Sequence, residues 1–131
     1  MDYQKFSETL PDLYYDWGQK SVRPKSNQFQ QVLEQVQGMT TANVMQLLNF
    51  AVECMEPNEI YCEVGSFQTA TLIAALLEHP DKIAYAVEKF DESDIAKEKF
   101  DKLLQHLSTF NLEEQVFICD QDFEEFLFEF R

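Results

Sequence analysis

Glu63, Gly65, Glu88, Asp120 and Asp122 are the residues of this chain best equipped to hold a ligand. In "EIYCEVGSFQTATL" an apolar run closes on Glu63 and Gly65, and an apolar helical pattern starts almost at once. A glycine at this point lets the backbone turn tightly and come close to a ligand, because no Cβ intrudes and a positive φ costs nothing. The amides that open the following helix would aim their donors at the same space, which suits a carboxylate or another anion. Glu88 closes a second apolar run, "KIAYAVEKF", where a carboxylate can accept hydrogen bonds from both hydroxyls of a ribose. Asp120 and Asp122 follow a third run, "QVFICD", and an acid there can accept from an adenine amino group. The three strand ends together describe a site for an adenosine-containing ligand that carries a carboxylate.

The elements that would place these residues follow from the apolar pattern. Each of the three runs is nearly continuous in apolar residues, and each is followed by a helical segment, which predicts a parallel sheet joined by right-handed crossovers. In such an open sheet, ligands gather at the carboxyl ends of the strands, where all of these acids fall. Two helices are predicted ahead of the sheet. Phe29, Val32, Leu33 and Val36 recur at helical spacing until Gly38, and Thr40 or Thr41 can cap a second helix whose stripe is Val44, Leu47, Leu48, Ala51 and Met55. After the second strand, Ser93 can cap a helix with Phe100, Leu103, Leu104 and Leu107 on one face and an exposed Glu98–Lys102 pair. The last segment puts Phe123, Phe126, Leu127 and Phe130 on one helical face. Residues 1–28 read as an aromatic arm, with Tyr3, Phe6, Tyr14, Tyr15 and Trp17 set between breakers, packed on the domain of residues 29–131 or folded over its ligand site.

Composition narrows the function classes. The chain of 131 residues has 45% apolar and 14% aromatic residues, which is enough for one packed domain. Twenty-four acids against ten bases give a formal charge of −14, a field that repels nucleic acid and anionic membranes and favours a cationic ligand or a basic partner. Cys54, Cys62 and Cys119 are widely spaced among apolar neighbours, without a CxxC pair, so they read as buried thiols of a cytoplasmic protein and no metal site is expected. Asp120 and Asp122 also form a DxD pair, a metal-binding pattern that an acidic chain produces easily by chance. His79 and His106 fall near helix ends with no acid or nucleophile at fixed spacing and read as surface residues.

"EVGSFQTATL" resembles the first motif of the class I S-adenosylmethionine-dependent methyltransferases, an acid, any residue, a glycine, and further small residues. "AYAVEKF" is similar to their second strand with its ribose-binding acid, and "VFICDQDFEEFL" to their third with its adenine-side acid. The likeness covers roughly residues 29–130. It implies a Rossmann-like three-layer half-fold, an α/β arrangement with strand order 3-2-1 and preceding helices, and S-adenosylmethionine as the cofactor. On this resemblance Glu63 and Gly65 frame the methionine end of the cofactor, with Ser66 in the same loop. Glu88 holds the ribose; Asp122 is the better adenine-side match and Asp120 the second. Phe67 and Thr69 stand where the family usually has glycine.

The family's complete domain has seven strands, and this sequence supplies three of them. The resemblance therefore implies the cofactor-binding part of a methyltransferase, incomplete or inactive alone, with no catalytic residue identifiable. The alternative is a non-catalytic acidic α/β interaction module or a dimerising remnant. In the order 3-2-1 the strand at residues 60–64 is left as an apolar edge, open to a second polypeptide or to self-association.

Overall fold

The computed structural model describes residues 1–36, 38–65 and 69–129. The chain runs through α1 (Tyr3–Thr9), a 3-10 turn (Leu10–Leu13), β1 (Tyr14–Tyr15), β2 (Arg23–Pro24), α2 (Gln30–Gln35) and α3 (Ala42–Glu53). It continues through β3 (Tyr61–Val64), α4 (Ala70–Leu76), β4 (Ala84–Glu88), α5 (Asp94–Thr109), β5 (Val116–Asp120) and α6 (Phe123–Glu129). Strands β3, β4 and β5 form a parallel sheet in that order, and β1 and β2 form a small antiparallel hairpin.

Register sets the two faces of the sheet. Tyr61 lies opposite Ala84 and Ala84 opposite Val116, so residues 61, 63, 84, 86, 116 and 118 share one face. That face is packed. Ala84 and Ala86 are fully buried, and their small side chains let α4 settle close against the sheet through Leu72, Ile73 and Leu76, which are themselves buried. Val32 of α2, Met45 and Val52 of α3 and Leu103 and Leu107 of α5 join this core. Each fully buried Leu or Ile side chain contributes about 1.5–3 kcal/mol by leaving water.

The helix starts follow their capping residues. Thr41 accepts from Val44 N at the start of α3, and Ser93 accepts from Ala96 N at the start of α5. Glu98 and Lys102 pair at 3.4 Å on the exposed side of α5.

Two side-chain amides, one buried and one partly buried, fix how the helices meet the sheet. Asn49 of α3 donates from Nδ2 to the carbonyls of Ala74 and Leu77, both at 2.8 Å, and so satisfies the C-terminal end of α4. Gln115 donates from Nε2 to His79 O and Lys82 O, at 2.8 and 3.0 Å, which ties the α4–β4 connection to the start of β5. His79 Nε2 lies 3.0 Å from Asn49 Oδ1 and links the two amides.

The helical stripe of α3 differs from the predicted one. Val44 and Leu47 are exposed, whereas Met45, Gln46, Asn49, Phe50 and Val52 are buried. The reason is that α3 is clamped on two sides, by α4 and by the N-terminal arm. Phe50 and Cys54 meet Leu10 and Tyr14 of the arm in a second, smaller core, and Phe6 stacks on Phe50 with ring centroids 5.8 Å apart. Tyr14 Oη donates to Asn43 O at 2.7 Å, Asp2 N donates to Cys54 O at 2.8 Å, and the N-terminal ammonium pairs with Glu59. The arm thus lies on α3 and not over the strand ends.

Candidate functional site

Gly65 turns the chain out of β3 with φ 82°, a conformation that L side chains rarely adopt, while its amide still donates to Val87 O at 2.9 Å. The turn therefore stays locked to β4. A Cβ on Gly65 would lie 3.8 Å from Glu88 Oε2, so the turn and the acid at the end of β4 sit side by side. Val64, Gly65, Val87, Glu88, Lys89, Gln121, Asp122 and Phe123 line a cleft of about 140 Å3 across the carboxyl ends of the three strands.

The predicted site residues divide at this point. Gly65, Glu88 and Asp122 share the cleft. Asp120 does not, since its Oδ1 accepts from Phe90 N at 3.0 Å and holds the loop after β4 in place. That loop borders a second depression, of about 380 Å3, lined by Phe90, Asp91, Glu92, Phe100 and Asp101 together with Asp120.

Glu63 lies two residues back along β3 and faces the packed side. Its Oε1 accepts from Tyr61 Oη at 2.9 Å, and Thr71 of α4 also hydrogen-bonds the carboxyl. Burial raises the Glu63 pKa above the usual carboxylate range, with the two hydrogen bonds opposing the shift. Tyr61 is pushed up as well, by burial first and by the Glu63 charge second. Among the described residues Glu63 thus joins β3 to α4 and is not part of the cleft wall. Ser66, Phe67 and Phe130 lie outside the described residues.

Thr69 is buried at the start of α4, and its Oγ1 lies 3.3 Å from His106 Nδ1 of α5. His106 is partly buried, and burial, with Lys102 nearby, lowers its pKa. Neither histidine is the surface residue predicted, because each is drawn into a hydrogen bond between elements. The cysteines, expected to be buried, are so only in part. Cys54 is buried, Cys119 is intermediate and Cys62 is exposed on the edge strand. Among the described residues no three His, Cys, Asp or Glu side chains form a set that could hold a metal, and no helix is long and apolar enough to cross a membrane.

Sequence reasoning missed Lys89, Gln121 and Phe123 as cleft residues. Lys89 was legible in principle, because it is the first residue past the Glu88 strand end and exposed there. Gln121 and Phe123 were not, since their place depends on how α6 folds back on β4 through Phe126, whose ring meets Tyr85 edge-on at 5.8 Å.

Comparison with family models, with curated proteins and with solved structures finds no match to this chain.

Proposed function

We propose that the cleft at the strand ends is the ribose end of an S-adenosylmethionine site, and that the chain is the cofactor-binding part of a methyltransferase-like α/β domain. The observation that carries this reading is the pairing of Gly65 and Glu88. A positive-φ glycine turn lies beside the carboxylate that ends the next strand. Glu88 would accept from the ribose hydroxyls, and Gly65, lacking a Cβ, leaves room for a ligand to come close. Asp122, exposed on the same cleft, is the acid placed for the adenine side. When bound, the cofactor would supply an electrophilic methyl group, and the acidic surroundings complement its sulfonium and ammonium charges.

The fit is partial. At about 140 Å3 the cleft is well below the ~300 Å3 or more that commonly encloses a ligand of this size. Glu63 and Asp120 are engaged in structural hydrogen bonds, so the carboxylate and methyl ends have no assigned partner among the described residues. The rest of the site, and the surface that would receive the methyl acceptor, would come from elements outside this sheet. Methyl transfer asks mainly for positioning, so a partner that completed the walls would suffice.

Calorimetric titration tests the reading. The chain alone is expected to bind S-adenosylmethionine and S-adenosylhomocysteine with a Kd of roughly 0.1–1 mM, about −4 to −5.5 kcal/mol, and to transfer no methyl group. Glu88→Ala should abolish the heat. Absence of binding, or equal binding by the variant, sinks the reading and leaves an acidic α/β interaction module, which the uncovered face of the sheet would favour.

A further inference from the structure

From Trp17 to Leu33 the chain carries three cations, Lys20, Arg23 and Lys25, and no acid, although 24 of its 131 residues are acidic. These cations belong to the β1–β2 hairpin and its flank. Pairing sets Tyr14 opposite Pro24 and Tyr15 opposite Arg23, and alternation gives the hairpin two faces. Tyr14 is buried against α3, where its hydroxyl donates to Asn43 O, while Tyr15, Arg23 and Lys25 are exposed on the outer face. There the Arg23 guanidinium lies 5.0 Å and the Lys25 ammonium 5.7 Å from the centroid of the Tyr15 ring. Among the described residues no carboxylate comes within ion-pair distance of either cation, Asp16 of the same hairpin included. Trp17, half exposed, leans on Tyr14 with ring centroids 5.3 Å apart. Exposed Trp, Tyr and Arg together are the composition of an interface core, where binding energy concentrates.

A surface of the opposite kind lies across the molecule. Helix α6 carries Glu124, Glu125 and Glu129 and, among the described residues, no cation. Glu125 and Glu129 are one helical turn apart, and Phe128, 74% exposed, lines a shallow depression of about 460 Å3 with them. Phe123 and Leu127 are exposed on the same helix. A ring flanked by two cations thus has its counterpart in a ring flanked by two carboxylates. The two surfaces cannot meet within one copy. The hairpin is docked on α3, which packs on the face of Ala84 and Ala86, whereas α6 meets the opposite face through Phe126 on Tyr85.

We propose that the outer face of the β1–β2 hairpin docks on α6 of a second copy of this chain, with Arg23 and Lys25 pairing with Glu125 and Glu129 and Tyr15 packing on Phe128. Each copy keeps a free hairpin at one end and a free α6 at the other, so the contact is head-to-tail and adds copies in a row or closes a ring. The net charge of −14 opposes the approach of two copies, but at physiological salt charges more than about 8 Å apart are largely screened, and pairs in contact much less. A short hairpin and a seven-residue helix offer a small area, in the range below about 1,200 Å2 where contacts are weak, so the association depends on concentration. It stands whether or not the cleft takes a cofactor.

Sedimentation equilibrium of the full chain at about 0.15 M salt reads the contact. The parent's weight-average mass is expected to climb between about 10 μM and about 1 mM. Arg23→Glu with Lys25→Glu should hold it at the monomer value over that range. Glu125→Lys with Glu129→Lys should do the same, and because this pair lowers the net negative charge, its effect cannot come from general repulsion. All four positions are exposed, so both variants keep the fold. Mixed in equal amounts, the two variants should associate at least about tenfold more tightly than either alone, because each reversed surface then faces an opposite charge. A parent that stays monomeric at about 1 mM overturns the proposal. So do variants that associate like the parent, or a mixture that stays monomeric.

Discussion

The two faces of the parallel sheet are almost equally apolar in sequence and opposite in fate. On one, Ala84 and Ala86 are sealed under Leu72 and Ile73, with no measurable exposure; on the other, Val64 and Phe117 are each 52% exposed. A strand that is apolar at every position is written for cover on both sides. Helices α2, α3, α4 and α5 all contribute to the core on the first face, and among the described residues one short helix supplies part of the cover on the second. Apolar sequence therefore marks a surface meant for burial, and whether it is buried depends on what else is present.

The sharpest way to break this contrast is a pair of truncations. Leu72→Ala on the packed face should lower unfolding stability by about 2–5 kcal/mol, while Phe117→Ala on the open face should cost less than about 1 kcal/mol. Urea unfolding measures both, and equal losses would mean that the second face is covered in solution. Next in size is Gly65→Ala, which forces an L side chain into positive φ and should cost about 1–2 kcal/mol. The same substitution at Gly18, also at positive φ but in the arm's hairpin, controls for local strain and should leave cofactor binding unchanged.

The smallest effect concerns the sole charge of β3. Because burial raises the folded pKa of Glu63, its contribution to stability is complete below the unfolded value, near pH 4.3, and is lost as pH rises through the folded one. Glu63→Gln should therefore be more stable than the parent at pH 7 and gain nothing below about pH 4. Thermal melts across that range decide it. A less stable Gln variant at pH 7 would mean that the bonds from Tyr61 and Thr71 to the charged carboxylate outweigh its burial.

Strand positions and helix starts were legible because they are local. The three apolar runs became β3, β4 and β5 within a residue or two, and Thr41 and Ser93 cap as their neighbours dictate. The buried side of α3 was not, since Val44 and Leu47 fit a helical stripe as well as Met45 and Phe50 do, and only the arm's docking decides between them. Within the candidate site, Gly65 and Glu88 were legible as strand-end residues that would become neighbours. The separation of Asp120 from Asp122 was not, because it turns on a single hydrogen bond to Phe90 N. Local pattern names the residues of a site, and long-range packing decides which of them face it.

Asn49 and Gln115 have a consequence for motion. Between them their two amide groups donate to four main-chain carbonyls, at Ala74 in the last turn of α4 and at Leu77, His79 and Lys82 in the connection that follows it. That connection is braced like a strut between α3 and the start of β5. Loosening it would strand several buried and part-buried polar groups at once, so its amides should open with the molecule as a whole and not by local fraying.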